Sequence, residues 1–475
     1  MVPPFSAPRL LGALLAANPT EPQPERQGAE DGSAPVEVLT EAPPSLEPPG
    51  PPRIEYAGQG PSSPSSLPFQ PPVLVRSVPP QNRAAREVGP SAEVPAPEPE
   101  RSWKDDVSIG GFVDTYAGVN VLLPDPQTAN TLRAFDTANG FALHWAGVNA
   151  EYGGEVVGGT VSLRFGPSAP LYNGADSDHG LGFVKQAYAT FAPRRTKGRL
   201  SFDLGKFDTL YGAEGADSQV NFNYTRGALN WLGQPLFHTG LKMELQLSDT
   251  IGLTAMVVNG WNNSLDNNRG KSGGLQLFWA PSDRFGVYVG YMVGAEGDRE
   301  ETLSCEADTA LDGDRGECTA MPGADADEVL VVAQGVERRL RHFADVIVTA
   351  TVTDRLDFSL NGDMGYDETI SNPVTGAFVP SIWYGAALGA RVVITEQIAV
   401  AGRGEVYRDL AGFTTPVPVS LGTGTLTFEL RPADMLVLKL DSRYEQATDD
   451  VFVARDATGS DRQLTFTLGA VIHTP

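Results

Sequence analysis

The sequence predicts an all-β fold, a transmembrane antiparallel up-and-down β-barrel of about 16 strands, preceded by a disordered proline-rich N-terminal segment. Three observations predict it. From residue 107 onward, apolar and polar residues alternate with period two over stretches of roughly ten residues or more. No stretch approaches the run of about 18 apolar residues that a membrane-spanning helix needs. The connections between alternating stretches are short and long by turns, which gathers the tight turns at one end of a sheet and the large loops at the other.

Near the N-terminus Arg9 precedes a short apolar run, 10–17, ending in small residues, which reads as a minimal export signal despite Pro3, Pro4 and Pro8. Of the 38 prolines in the 475 residues, 24 lie in the first 100, and pairs such as Pro43-Pro44 and Pro79-Pro80 block helix and central strand alike. Such a segment buries too little apolar surface to offset its ordering entropy. We therefore divide the chain into 1–104, a short signal followed by a disordered arm, and 105–475, the barrel. The arm reads as a periplasmic spacer or partner-binding segment, or as an unselected leader.

Sixteen strands follow: 107–122, 140–152, 156–166, 182–193, 199–208, 237–248, 251–261, 272–281, 284–294, 340–353, 355–366, 383–395, 398–408, 421–431, 434–445 and 462–473. In the fourteenth, Thr425, Thr427 and Glu429 alternate with Leu426, Phe428 and Leu430. In the sixth, Lys242, Glu244 and Gln246 oppose Leu241, Met243 and Leu245. Several short connections share a Ser/Thr/Pro-plus-acid turn running into an apolar strand, as in SDTIGL, PSDRFGV, TDRLDF and TEQIAV. An even strand count returns both termini to the same side, the periplasm of a Gram-negative-type cell. A soluble β-sandwich also alternates, but its strands are usually only about five or six residues long. Aromatic residues near the long loops, namely Phe237, Trp261, Tyr366, Trp383, Tyr384, Tyr407 and Tyr444, suit a bilayer interface.

If the apolar faces meet lipid, the polar faces line the interior. Lys or Arg facing lipid near the midplane would cost about 2–4 kcal/mol each. This directs Arg199, Lys242, Arg341, Arg391, Arg403, Lys439 and Arg443 inward, with Asp203, Glu244, Asp345, Asp357, Asp363, Glu405, Glu429, Asp441 and Glu445. A barrel this wide holds water rather than a packed side-chain core. Many of these charges are then salt bridges that brace the wall, and together they suit hydrophilic solutes. The connection 209–236 is long enough to fold inward. Its Glu214, Asp217 and Arg226 are the candidate constriction, with the two acids facing Arg and Lys of the wall; an external lid is the alternative.

The net charge of −24 excludes an electrostatic partnership with nucleic acid or an anionic lipid surface. The longest connection, 295–339, is strongly acidic and holds Cys305 and Cys318, the two cysteines of the chain. A pair in an exported loop reads as a local disulfide rather than a metal site. Asp308, Asp312, Asp314 and Glu317 could offer oxygens to calcium, but not at the spacing of the twelve-residue calcium loop. The five histidines, His144, His179, His238, His342 and His473, have no metal-ligand spacing. Neither a GxSxG elbow nor a phosphate loop is present. No cofactor and no enzymatic activity are expected.

The stretch 204–271 resembles a known family. The resembling pieces are LGKF (204–207), YGAEG (211–215), NYTRG (223–227), FHTGLK (237–242), VVNGWNN (257–263) and DNNRGK (266–271). Together they resemble the putative beta-barrel porin-2 (OmpL-like) family of outer-membrane proteins, with weaker similarity from about Ser108 to the end. The resemblance implies a pore in the outer membrane and carries no catalytic residues. The chain departs from many outer-membrane barrels in ending Ile472-His473-Thr474-Pro475 rather than in an aromatic, and the proline-rich arm is atypical. The expected function is passive diffusion of small hydrophilic solutes or ions through a lipid-embedded barrel, for which a homotrimer is one open assembly. The alternative is a non-conducting barrel that tethers the envelope or binds a partner at the surface.

Overall fold

The computed structural model describes residues 102–124, 130–297, 301–305, 329–333, 339–368 and 380–474. Sixteen antiparallel strands close into one barrel. They are β1 (Val107–Asn120), β2 (Gly140–Gly153), β3 (Val157–Phe165), β4 (Val184–Phe191), β5 (Leu200–Asp208), β6 (Phe237–Gln246), β7 (Ile251–Val258) and β8 (Ser272–Ser282). The second half comprises β9 (Phe285–Ala295), β10 (Leu340–Thr353), β11 (Leu356–Asp367), β12 (Ser381–Val393), β13 (Ile398–Asp409), β14 (Val419–Ala433), β15 (Leu436–Ala447) and β16 (Arg462–His473). Each strand pairs with its neighbours in sequence, and β1 closes on β16, from Phe112 opposite His473 to Asn120 opposite Thr465. These are the strands that the period-two pattern predicts, with ends displaced by no more than about three residues.

Closure follows from the medium. Hydrocarbon offers no hydrogen-bond partner, so each strand needs a neighbour on both sides, and only a sheet without edges supplies one everywhere. The side chains sort accordingly. On β14, Thr423, Thr425, Thr427 and Glu429 are buried, whereas Leu426 and Phe428 are exposed. On β15, Lys439, Asp441, Arg443 and Glu445 are buried while Leu440 and Tyr444 are exposed. This is the inverse of a water-soluble protein, in which Lys, Glu, Arg and Asp are almost never fully buried unless paired.

The short connections (154–156, 192–199, 247–250, 283–284, 354–355, 394–397 and 434–435) share one end of the barrel, and both barrel termini lie there. The long connections share the other. Connection 166–183 carries a short helix, α1 (Ser168–Asn173), and connection 448–461 carries a small hairpin between Phe452–Val453 and Gly459–Ser460. Glu301–Cys305 pairs with Val329–Ala333 in the longest connection. The expected arm and export signal lie outside the described residues, as do Asp308, Asp312, Asp314 and Glu317. Cys318 and the side chain of Cys305 lie outside them too, and with them the expected disulfide.

The aromatic belt differs from the expectation. Phe237, Trp383 and Tyr407 are buried inside the barrel, and Trp261 packs there against Phe343 and Trp383. Strand parity is the reason. Trp383 and Tyr384 are adjacent and must point to opposite faces, and Tyr407 lies two residues beyond the inward Glu405. Tyr384 and Tyr444 do face outward, joined at the long-loop end by Phe141, Phe165, Phe183 and Tyr291. Phe191, Trp279 and Phe285 form the opposite rim.

Leu440, mid-strand on β15 and facing outward, tests the polarity of the two surfaces. Leu440→Arg should cost about 2–4 kcal/mol in a urea titration of the protein folded in phospholipid vesicles. Leu440→Ile should stay within about 1.5 kcal/mol.

Candidate functional site

The connection 209–236 leaves the tip of β5, crosses the interior and returns to β6. Its two ends meet, the Thr209 amide donating to the Leu236 carbonyl at 3.0 Å. Between them the chain enters the barrel at Gly212, whose φ of +89° favours glycine. The external-lid alternative is thereby set aside, because Asn221 to Asn230 are all buried.

The wall is shaped to receive the loop. A Cβ on Gly469 of β16 would lie 2.0 Å from the Tyr224 ring, and one on Gly290 of β9 would lie 2.6 Å from the Tyr211 ring. Both glycines are places where loop aromatics press on bare backbone.

Polar groups fix the rest. Gly212 N donates to Asp345 Oδ1 at 3.3 Å and Ala213 N to Asn361 Oδ1 at 3.1 Å. At the other end of the loop, Gln234 Nε2 donates to the same Asn361 oxygen at 2.8 Å and to Asp363. Farther in, Asp441 of β15 accepts from Tyr224 N, Thr225 N and Thr225 Oγ1 at 3.2, 2.8 and 2.9 Å. Asn223 donates to Thr427 Oγ1, Lys439 Nζ to Ser218 O, and Trp383 Nε1 to Gly233 O. The loop thus touches β9 to β16 and, across the closure, β1.

The three constriction candidates all lie on this loop inside the barrel. Glu214 pairs with Arg403, and it accepts from Gly227 N at 2.7 Å. Asp217 pairs with Arg164 of β3 at 2.8 Å and with Lys185 of β4 at 3.6 Å. Arg226 is buried and braces the loop from within, donating to the Tyr224 and Ala216 carbonyls.

Among the wall charges, Asp203, Asp357, Glu405, Glu429, Lys439, Asp441 and Arg443 are buried, as are Lys242, Asp345 and Arg403. Most are paired: Lys242 with Asp203 and Glu244 at 3.0 and 2.9 Å, Arg341 with Asp367, Arg391 with Glu429, and Arg443 with Glu445. Such pairing offsets the desolvation that an isolated buried charge could not bear. Arg199 departs from its expected place. It precedes β5 at the short-connection end and is mostly exposed, beside Asp249.

Asp345 and Asp363 stand outside this pairing. They sit directly opposite each other across β10 and β11. Among the described residues no Lys, Arg or His forms an ion pair with either, and Asp345 Oδ2 has no hydrogen-bond partner. Asn361 Nδ2 lies between them, donating to Asp345 at 2.9 Å and to Asp363 at 3.0 Å.

Sequence reasoning missed several interior residues. Arg164 follows strand parity, two residues beyond the buried Ser162, and could have been found by it; Lys185 and Lys206 could not, since each is adjacent to an inward residue (Gln186 and Phe207) where the alternation is broken. Arg133 could not, because it belongs to the connection 121–139, which also turns inward and pairs with Glu445 and Asp136 at 2.8 Å each. Asp114, His144 and Ser218 cluster without forming a nucleophile and base. Asp114 accepts from Ser218 Oγ and lies 3.1 Å from His144 Nδ1, so the hydroxyl rests on the carboxylate and not on the imidazole. Among the described residues no group of three His, Cys, Asp or Glu could hold a metal ion.

One sector of the interior stays open. Between the loop and the wall of β4 to β6 lies a cavity of about 70 Å³, bordered by Gln186, Tyr188, Phe207, Asp208, Lys242 and Glu244 on the wall and by Tyr211 and Glu214 on the loop.

Comparison with known proteins adds a family. Residues 106–473 match the model of the putative beta-barrel porin-2, OmpL-like family. No curated protein matches the chain in sequence. Among solved structures, the outer-membrane channel DcaP of Acinetobacter baumannii is similar at 13% identity, a TM-score of 0.50, and 78% of this chain against 97% of that one. OmpT of Vibrio cholerae is similar at 13% identity and a TM-score of 0.47 over 78% and 97%. The anion-selective porin of Comamonas acidovorans is similar at 10% identity and 0.47 over 78% and 99%. At these identities the likeness is one of fold.

Two outcomes test how the loop is held. Asp441→Ala strands three loop donors, and should cost roughly 3 kcal/mol. It should also expose the peptide bond after Arg226, the one Lys or Arg within 209–236, to trypsin in the folded barrel. Asp363→Asn relieves the crowding of two facing carboxyl groups and keeps one oxygen to accept from Asn361 or Gln234. It should raise the thermal midpoint in detergent by a few degrees.

Proposed function

The chain belongs to the putative beta-barrel porin-2, OmpL-like family of bacterial outer-membrane proteins, and on that premise we propose that it is a channel for passive diffusion of small hydrophilic solutes or ions. The narrowest part of its path is the cavity between the inward loop and the wall of β4 to β6. In this reading the short connections and both termini face the periplasm, and the long connections face outward.

One observation carries the proposal. Charged and polar side chains line the interior beside the buried aromatic clusters, and the loop that crosses it leaves water-accessible space bounded by Asp208, Glu214, Lys242 and Glu244. A structural plug would be expected to fill that space. Binding of a defined substrate is not required. A wall of paired charges keeps water and ions solvated along the path, and selection is by size and charge. The competing reading, a non-conducting tether, draws support from the loop's contacts on β1 and on β9 to β16, which close most of the cross-section.

Planar-bilayer recording of the purified, reconstituted protein decides between them. The channel reading expects unitary current steps in potassium chloride. Replacing 214–232 by a short Gly-Ser linker should raise the step size several-fold, because the barrel without the loop is a wide tube. A silent bilayer with correctly folded protein supports the tether.

A further inference from the structure

Four ion pairs on or beside the open cavity share an asymmetry: the cation is buried and the carboxylate is the member that meets water. Asp208, Glu214 and Glu244 line the cavity, and Asp217 lies beside its lining. Side-chain exposure is 2% for Arg164 against 14% for Asp217, and 5% for Lys185 against 27% for Asp208. It is 7% for Lys242 against 24% for Glu244, and 4% for Arg403 against 18% for Glu214. We propose that the water-facing surface of this passage is electronegative although its residues are paired, and that the channel selects cations over anions. This inference rests on the channel reading given above.

The physics lies in distance. Attraction between charges falls with separation, and an ion in the cavity meets the more exposed carboxylates of Asp208, Glu214 and Glu244 more closely than the better-buried ammonium or guanidinium of each pair. A pair that is neutral from afar is thus a cation site from the side of its exposed member. The aromatic lining acts in the same direction, since ring faces attract cations. Lys242 Nζ already lies 5.8 Å from the Tyr188 ring centre and 5.2 Å from that of Phe207, and Lys185 Nζ lies 5.7 Å from that of Tyr172. The fitting solutes are hydrated alkali cations and compact organic ammonium ions.

The opposite asymmetry occurs elsewhere. Glu429 is buried at 3% while its partners Arg391 and Arg431 are exposed at 18% and 32%. These arginines lie toward the short-connection ends of β12 and β14, away from the cavity. Two arginines thus stand toward that mouth, and selection is assigned to the cavity.

The reversal potential of the full-length protein in a tenfold potassium chloride gradient tests the assignment. A potassium-over-chloride permeability ratio of several-fold is expected. The isosteric D208N and E244Q substitutions together should bring that ratio to near unity, and E214Q should lower it further. R431Q, at the mouth, should move it far less. Heat-modifiable electrophoretic mobility verifies that each variant has folded. A ratio near one or below one in the parent protein overturns the inference and leaves the channel standing, as does a larger change from R431Q than from the D208N/E244Q pair. Absence of current in every protein overturns the channel reading itself.

Discussion

The polarity of this molecule is set by one constraint: in hydrocarbon, no backbone amide or carbonyl can go without a partner. The pairing of β1 with β16 satisfies it, and much else follows from that closure. A closed sheet has an inside, and the strand period of two sends every second side chain there. The outward set must be apolar, which leaves the charged residues a single place to be. Once enclosed they must find partners, and the interior becomes a lattice of ion pairs and carboxylate–amide bonds. The loop 209–236 completes that lattice, because its backbone supplies donors that the wall carboxylates lack.

Much of this was legible in the sequence, for physical reasons. Strands with one apolar and one polar face repeat a pattern that few other structures produce, so all sixteen could be read. The inward loop was legible from its length and from Glu214 and Asp217, acids that would be ordinary at a surface but had basic strands available to meet them. The interior aromatics were misplaced because proximity to a loop was weighed above parity. Counting by twos from Glu405 would have sent Tyr407 inward.

The facing pair Asp345 and Asp363 escaped for a different reason. The turn at 354–355 sets Thr353 opposite Leu356, and counting outward from there would place Asp345 opposite Met364. A shift in register between Thr351 and Thr353 moves the count by one and brings the two acids together. Bulges of this kind leave little mark in a single sequence. Arg133 was hidden by a similar limit, since no period exists in a connection to say which way a side chain points.

The seats of the loop 209–236 are also distributed unevenly along the chain. Beside Asp114, Arg164, Lys185, Gln276 and Tyr291, many of its anchoring partners come from β10 onward: Asp345, Asn361, Arg403, Thr427, Lys439 and Asp441. The loop is therefore synthesised long before much of the surface that holds it exists. During assembly the first half of the sheet must travel with this segment unseated, and the lumen can acquire its contents only after the last strands have joined. The order of events puts the making of the wall before the narrowing of the hole.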